Sequence, residues 1–202
     1  NNLFIKKSIL IILIVILIDQ VLEIYVKSSM ILGEEYKILD WFYIHFTENN
    51  GMAFGLEFGG KIGKVILMIL RISFVLIMIS YLKKTLFKKY DNLSLLTFSL
   101  IIGGAIGNII DGIFYGYFFT SSLGQISTFS INGNGYAPLM FGKVVDMFYF
   151  PLYKGVLPDY IPFLGGDYFI FFRPVFNFAD TCISIGVFLL ILFNKKIMKF
   201  IN

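Results

Sequence analysis

Four long apolar segments divide the chain, and polar or basic residues separate them. They run from about Ser8 to Val26, Ile62 to Leu82, Leu93 to Ile110 and Val175 to Phe193. About 20 apolar residues are needed to cross a bilayer as a helix, so the pattern predicts four membrane-spanning helices. We therefore expect one mainly α-helical membrane domain covering residues 1–202.

Two longer and more polar stretches interrupt this pattern, and they form predicted loops at residues 27–61 and 112–174. In the first loop, Tyr36 to Thr47 is rich in β-branched and aromatic residues, which predicts strands of a small β-sheet. In the second loop, Ser121 to Gly135 has the composition of a flexible polar insertion. Tyr149 to Phe172 resembles an aromatic layer at a membrane interface and completes an interfacial loop and helix region.

Composition agrees with a membrane protein. The chain of 202 residues is 57% hydrophobic and only 15% charged, whereas about a quarter of the residues in soluble domains are charged. The first segment has some features of a signal peptide, but Asp19 interrupts it and no clear cleavage site follows. We therefore expect this segment to remain as a membrane helix.

The positive charges predict the orientation. Lysines precede the first segment, fill the short link between the second and third, and follow the fourth: Lys6, Lys7, Lys83, Lys84, Lys88, Lys89, Lys195, Lys196 and Lys199. Since basic loops stay on the cytoplasmic side, both termini should be cytoplasmic and both long loops external. No continuous basic stripe is present, so we expect no nucleic-acid partner.

The scarcity of Cys and His excludes several chemistries. Cys182 is the only cysteine and His45 the only histidine. An intrachain disulfide is impossible, and a transition-metal site of the usual ligand set is not expected. His45 lies in the strand-like region, far from any plausible Ser motif, which argues against a Ser-His-Asp triad. We expect neither metal nor organic cofactor.

Polar residues nevertheless recur in the apolar segments and next to them. They are Asp19, Glu23, Arg71, Asn108, Asp111, Asp146, Asn177 and Asp180. Ionisable groups inside a membrane usually mark a functional site. A polar network that only joins helices is the alternative that composition leaves open.

Five short motifs favour a function. They are Asp19-Gln20, Asn49-Asn50-Gly51-Met52-Ala53-Phe54, Gly103-Gly104-Ala105-Ile106-Gly107-Asn108-Ile109-Ile110-Asp111, Val144-Val145-Asp146-Met147-Phe148 and Phe176-Asn177-Phe178-Ala179-Asp180. In this order on four segments, they closely resemble the lipoprotein signal peptidase (signal peptidase II) family. The resemblance covers the whole chain except the insertion from Ser121 to Gly135.

The resemblance implies an aspartic endopeptidase of the bacterial cytoplasmic (inner) membrane. Such enzymes cut prolipoproteins before a Cys that carries diacylglycerol. The catalytic pair falls on Asp146 and Asp180, and the supporting or substrate-binding positions are Asn49, Gly51, Asn108, Asp111, Asn177 and Asp19. The implied partners are diacylated prolipoproteins, membrane lipid and cyclic peptide inhibitors of the globomycin type, with the enzyme acting as a monomer near the outer leaflet.

The chemistry of two adjacent carboxyl groups agrees with this role. Close carboxylates in a low-dielectric site share one proton, so one activates water while the other polarises the scissile carbonyl. The pair titrates as a unit, and the sequence does not assign the proton to either Asp. Asn177 and Asn49 are candidate hydrogen-bond donors to the substrate or oxyanion. Asn177 and Asp180, three residues apart, should share a helix face.

Several departures from the family pattern leave alternatives open. An Arg commonly follows the third-segment Asp, but Gly112 stands here; Arg71 could replace it by pairing with Asp111 or Asp19. A Lys is often found where Glu23 stands. Asp159 and Asp167 are rivals to Asp146, although Asp146 has the better motif. The insertion within 112–145 could be a lid over the site or an unrelated surface excursion.

Two other functions compete with the peptidase. A small ion- or proton-translocating membrane protein could use the buried carboxylates as a relay, but such a relay should space its acids through the membrane depth. A helix-packing subunit without catalysis would not need the pair Asp146 and Asp180. The glycines from Gly103 to Gly107 are expected to allow close helix packing.

Overall fold

Apolar helices form most of the computed structural model, which describes residues 2–50, 60–88, 91–160, 162–163 and 165–199. The helices are α1 (Asn2–Ser29), α2 (Gly60–Lys88), α3 (Asn92–Ile110), a π-helical turn (Asp111–Tyr115), α4 (Gly116–Phe118), α5 (Phe178–Leu192) and α6 (Asn194–Met198). Within the described residues, three helical stretches are long and apolar enough to cross a membrane: α1, α2, and α3 continued through α4.

The fourth predicted span begins later than expected. Val175 and Phe176 form a short strand, and Asn177 caps α5 with an extended backbone and a side chain that accepts a hydrogen bond from the Asp180 backbone N–H. With 15 residues, α5 is about 22 Å long, shorter than the roughly 30 Å hydrocarbon core. The described residues therefore include three membrane-length helices, and the fourth predicted span corresponds to the shorter apolar helix α5.

Helix α3 lies at the centre of the helical region. In the apolar stretch of α3, 67% of the residues are buried, whereas 22% are buried in the apolar stretch of α1 and 22% in that of α2. It contacts α1, α2 and α5. On the side of α2, a core cluster contains Val75 and Met78 with Phe98, Ile101 and Ile102 of α3.

Glycines in α3 allow its neighbours to approach closely, as the sequence predicted. A Cβ added at Gly103 would lie 2.9 Å from the Cβ of Val15 in α1. A Cβ at Gly104 would overlap the backbone carbonyl oxygen of Ala179 in α5. At these positions the absence of a side chain is required by the distance between the helix backbones.

A four-stranded antiparallel sheet lies outside the helices. It contains β1 (Glu35–Leu39), β2 (Phe42–Asn49), β3 (Val144–Tyr149) and β6 (Val175–Phe176), in the order β1-β2-β3-β6. The strands β4 (Tyr153–Val156) and β5 (Tyr168–Phe171) form a separate hairpin. The prediction of strands between Tyr36 and Thr47 is confirmed by β1 and β2.

The inner part of the sheet packs against the end of α1. Val26 and Met30 of α1 share a buried cluster with Phe46 of β2 and with Val145 and Met147 of β3. The alternation of side chains along β3 therefore buries Val145 and Met147 on one face and directs Asp146, between them, toward the other.

The π-helical turn Asp111–Tyr115 fixes the start of β3. The Gly142 N–H donates to the Gly112 carbonyl, and the Ala137 N–H donates to the Gly116 carbonyl, each over 2.9 Å. Such turns leave carbonyl groups without helical partners, and they are frequent at functional sites. Here the chain that returns from the long second loop satisfies these carbonyls and places β3 against the end of α3.

We expect Gly104→Ala to destabilise the protein by about 1–3 kcal/mol, because the new methyl group would meet the backbone of α5, which cannot rotate away. The matched control is Gly112→Ala, whose methyl group would meet only the flexible end of Met68. Thermal unfolding of both variants in detergent measures the difference. Equal midpoints for the two variants would contradict the close packing of α3 on α5.

Candidate active site

Two carboxyl groups from different parts of the fold lie at the candidate site, and an asparagine holds each of them. Asn49 Nδ2 donates to Asp146 Oδ2 over 2.7 Å. Asn108 Nδ2 donates to Asp180 Oδ1 over 2.8 Å. Asn49 is the last residue of β2 and Asn108 lies near the end of α3. One oxygen of each carboxyl group is thus oriented by an amide, which leaves the second oxygen for chemistry.

Asp146 is the more deeply buried member, with 2% of its surface exposed. Its Oδ1 atom is buried and has no hydrogen-bond partner among the described residues. Burial and the negative charge of Asp180 raise the pKa of Asp146 to about 8, although the Asn49 hydrogen bond and the charge of Arg71 act in the opposite direction. Asp146 therefore holds a proton at neutral pH.

Asp180 borders two adjoining cavities. The larger has a volume of about 630 Å³ and is lined by Asn49, Arg71, Asn108 and Asp180, together with the segment from Phe172 to Phe176. The smaller, of about 310 Å³, shares three of these four polar residues, and apolar side chains of α2, α3 and α5 complete it. The site is thus connected to an apolar space between helices.

Asn177 joins three elements at this site. Its Oδ1 accepts from the Asp180 N–H over 2.8 Å, and its Nδ2 donates to Glu23 Oε1 over 2.8 Å and to Asn108 Oδ1 over 2.9 Å. It is fully buried. The sequence predicted a shared helix face with Asp180 and a contact with substrate; instead Asn177 caps the helix, and both amide hydrogens are bound by protein. Asn177 therefore positions Asp180.

Asp19 of α1 also binds the start of α5. Its Oδ1 accepts from the Ala179 N–H over 2.7 Å. This N–H is among the first groups of α5, which have no partner within the helix. Asp19 also lies directly against Gly107, where a Cβ would overlap its carboxylate. Asp19 thus supports the site indirectly, because it binds the backbone N–H of Ala179, the residue before Asp180.

Asp111 belongs to a second polar cluster beneath Asn177. Gln20 Nε2 donates to Asp111 Oδ1 over 2.8 Å and to Glu23 Oε2 over 2.9 Å. The Tyr115 hydroxyl lies 3.2 Å from Gln20 Oε1 and 3.3 Å from Glu23 Oε2. Asp111 therefore fastens α1 to the end of α3. Sequence reasoning assigned no role to Gln20 or Tyr115, although the Asp19-Gln20 motif already contained one of them.

A buried polar stripe on α1 was also missed. Asp19, Glu23 and Lys27 are spaced four residues apart, and all three are fully buried. The sequence placed Lys27 at the start of the first loop, but α1 continues to Ser29. Lys27 Nζ forms an ion pair with Glu48 of β2. The four-residue spacing was the signal that could have shown that all three side chains lie on one helix face.

The insertion contributes to this ion pair. Ser122 Oγ donates to Glu48 Oε1 over 2.9 Å and accepts from Lys27 Nζ over 3.0 Å. Burial opposes ionisation of Glu48, but the charge and hydrogen bond of Lys27 outweigh it and lower the pKa of Glu48. Glu48 directly precedes Asn49. Through Ser122, the insertion therefore helps to fasten the end of β2 to α1.

Arg71 of α2 faces the same site. Its Nη1 lies 3.5 Å from the Asn108 carbonyl oxygen, and its charge interacts more strongly with Asp180 than with Asp111. From the sequence, we expected Arg71 to pair with Asp111 or Asp19. Arg71 lines the same cavity as Asp180, and its charge also acts on Asp111, one of the two expected partners.

The remaining candidates are placed elsewhere or lie outside the described part of the chain. Asp159 and Asp167 are exposed and lie in the loop that joins β4 to β5. Gly51 falls outside the described residues. Within the described ranges, no group of three or more His, Cys, Asp or Glu side chains is arranged to hold a metal ion.

The chain matches a known protein family over most of its length. The family model for signal peptidase (SPase) II matches residues 11–195. A lipoprotein signal peptidase of Porphyromonas gingivalis (strain ATCC 33277) is 49% identical over 181 residues, which cover 89% of this chain and 79% of the relative. One from Amoebophilus asiaticus (strain 5a2) is 40% identical over 189 residues, covering 89% and 74% respectively.

Two solved structures share the fold. A bacterial membrane enzyme determined by the in meso method at 2.3 Å resolution matches with a TM-score of 0.64 and 25% identity, over 96% of this chain and 90% of the other. A second one, at 1.9 Å resolution, matches with a TM-score of 0.57 and 26% identity, over 94% and 92%.

Asn177→Asp tests the role of the buried cap. Asp caps a helix about as well as Asn, but the change replaces the amide donor by an oxygen that faces Glu23 and Asn108. We expect a loss of about 3 kcal/mol or more, because a buried acidic group is left without its partner. Thermal unfolding in detergent measures this loss.

The control is Glu23→Gln, alone and combined with Asn177→Asp. Alone, it keeps an acceptor for Asn177 but removes the one that Glu23 Oε2 offers to Gln20, so it should cost less than Asn177→Asp. In the combined variant, the new glutamine amide can donate to the new carboxylate, so much of the lost stability should return. A combined variant that is as unstable as the sum of the two single changes would contradict the hydrogen bond between these positions.

Proposed function

Since the chain belongs to the signal peptidase II family, we propose that it is an aspartic endopeptidase that removes signal peptides from diacylglyceryl-modified prolipoproteins. The observation that carries the proposal is the pair Asp146 and Asp180, each held on one oxygen by an asparagine. Cleavage before the lipidated Cys requires neither metal nor cofactor, since two carboxyl groups supply the acid and the base.

The two carboxyl groups differ in environment, which supports placing the shared proton on Asp146. Asp146 is more deeply buried than Asp180 and carries the proton in the resting enzyme. Asp180 lies next to the Arg71 guanidinium, whose charge stabilises its carboxylate form. In the first step, Asp180 accepts a proton from water as the water oxygen attacks the scissile carbonyl carbon, and Asp146 donates its proton to the carbonyl oxygen.

The second step reverses these roles. The tetrahedral diol returns a hydroxyl proton to Asp146 as its carbonyl re-forms, the C–N bond breaks, and Asp180 gives the proton it took from water to the leaving amine. The enzyme is thereby restored to its starting protonation state. Asn49, which lines the larger cavity, is the proposed donor to the substrate backbone or oxyanion.

The apolar cavity between α2, α3 and α5 supports lateral access of the substrate. A diacylglyceryl Cys can keep its acyl chains in the bilayer while the peptide reaches Asp180 through this space. The placement that fits best has α5 as a fourth, short crossing, both termini in the cytoplasm, and the site near the outer leaflet of the bacterial cytoplasmic membrane. Cyclic peptides of the globomycin type would bind between Asp146 and Asp180, and a single copy of the chain suffices.

Asp146→Asn and Asp180→Asn should each lower the cleavage rate by about 10²–10⁴-fold, because each removes one half of the acid–base pair. A gel-shift assay on a purified diacylated prolipoprotein measures cleavage. Asp159→Asn and Asp167→Asn are matched controls, since these exposed carboxyl groups should be dispensable. Folded Asp146→Asn or Asp180→Asn enzyme that still cleaves at the normal rate would refute the pair.

The pH dependence of kcat/KM tests the proton on Asp146. Because its carboxyl pKa is raised to about 8, the proton is present at neutral pH and is lost as the pH rises through that value, so activity should fall there. Arg71 lowers this pKa, so Arg71→Leu should move the alkaline limb to higher pH, while Arg71→Lys, which keeps the charge, should move it less. An alkaline limb that is unchanged in Arg71→Leu would contradict the assignment.

A further inference from the structure

The hairpin β4–β5 connects the two halves of the candidate site, because it follows the strand that carries Asp146 and precedes the helix that carries Asp180. Its described residues expose aromatic rings: Tyr160 is 84% exposed and Phe163 is 101% exposed. We propose that the tip of this hairpin and the face bearing Tyr153 and Phe171 bind the phospholipid interface of the outer leaflet, beside the mouth of the larger cavity.

The opposite face of the hairpin is docked on the sheet. Lys154 Nζ lies 4.2 Å from the ring centroid of Tyr43 and 4.8 Å from that of Tyr149. The same atom lies 3.5 Å from the Glu35 carboxylate in β1. Cation–π contacts and an ion pair therefore hold this face against the four-stranded sheet.

The face bearing Tyr153 and Phe171 is left without such cover. These two residues are paired across the hairpin, one position away from the Lys154 and Ile170 pair. Side chains alternate between faces along a strand, so Tyr153 and Phe171 point away from the sheet. Both are exposed. The hairpin thus presents an aromatic surface on the side opposite Lys154.

The tip presents Phe163 at a cost in backbone strain. Phe163 has a φ of +67°, in the left-handed region that bulky residues rarely adopt. A strained backbone conformation persists when contacts with the surrounding structure or with a ligand offset its free-energy cost. Within the described residues, the fully exposed Phe163 ring makes no contact that could do so. Burial of the ring in a lipid interface would provide that compensation.

The chemistry of the hairpin favours lipid over a protein partner. Tyr and Phe at the boundary of a bilayer are typical of membrane-interface residues. Arg173, exposed at the base of the hairpin, can reach the phosphate groups. The exposed carboxylates Asp159 and Asp167 near the tip prevent deep insertion, so the tip should lie at the boundary between headgroups and acyl chains.

The position of the hairpin is continuous with the membrane part of the protein. Immediately after β5, Phe172 and Pro174 line the larger cavity, and β6 leads into the apolar helix α5. Phe172 also has a left-handed backbone, with a φ of +65°. An anchored hairpin would therefore hold this wall of the cavity at the lipid surface.

A single tryptophan can report on the tip, because Trp41 is the only one in the chain. Trp41→Phe preserves a ring at the position that stacks on Phe150. In this background, Phe163→Trp places the reporter at the tip, and Leu17→Trp, on the exposed surface of α1, provides a lipid-embedded reference. The variants are reconstituted in phosphatidylcholine vesicles with brominated acyl chains, and quenching by bromine and by aqueous iodide is measured.

We expect a blue-shifted emission for the tip reporter and a roughly two-fold quenching by bromines near the headgroup, with weaker quenching by bromines near the chain end, because interfacial groups lie only 5–10 Å below the surface. Emission and iodide quenching equal to those of free N-acetyltryptophanamide would overturn the proposal. Protection from both quenchers would also overturn it, since protein would then cover the tip.

Tyr160→Trp in the same background is the second reporter, used if Phe163→Trp does not fold. It carries the same expectation and the same overturning outcomes. Neither measurement depends on cleavage, so failure of the peptidase assignment and failure of the lipid contact are distinguishable. A hairpin that lies in water would leave the proposed acid–base pair untouched.

Discussion

The site depends on one buried asparagine cap. Asn177 joins α5 to α3 and α1 through hydrogen bonds to the Asp180 N–H, Asn108 and Glu23. In a bilayer, water cannot satisfy backbone groups at a helix start, so the protein must do so itself. Because the cap uses its whole amide, the beginning of α5 and the orientation of Asp180 are determined together.

The partner carboxyl group is placed by a different part of the fold. Asp146 lies on β3, whose position follows from the backbone hydrogen bonds between the π-helical turn and the chain that returns to the sheet. Strand β2 pairs with β3 and brings Asn49 to Asp146. The buried pair of Lys27 with Glu48, strengthened by Ser122, holds the end of β2 against α1. Two supports, one helical and one β-sheet, therefore meet at the acid–base pair.

This division fits the proposed chemistry. Asp180 is held at a helix start next to Arg71, beside an apolar cavity that extends between helices. Asp146 is held in a sheet, where burial and the charge of its neighbour keep it protonated. Adjacent carboxyl groups share a proton because both cannot ionise at once, and unequal environments favour one of them as its holder.

Much of the site was predictable because its signals are local. The motifs around Asp146 and Asp180 predicted the pair proposed here, and Asp159 and Asp167, its rivals, are exposed. The role of Asn177 was not predictable: a three-residue spacing is compatible with a shared helix face and with a cap. The choice between the two depends on Glu23, which is 154 positions away in the chain.

The sequence by itself determined the apolar helices, the strands between Tyr36 and Thr47, and the close approach at the α3 glycines, since these follow from hydrophobic pattern and residue size. Tertiary structure decided where α5 begins, that Arg71 and Asp180 line one cavity, and that the insertion fastens β2 near Ser122. Those features require hydrogen bonds and charges from distant segments, and a low-dielectric interior makes each unsatisfied group costly. The spacing of polar residues along one helix shows that they share a face; only the folded protein shows what that face meets.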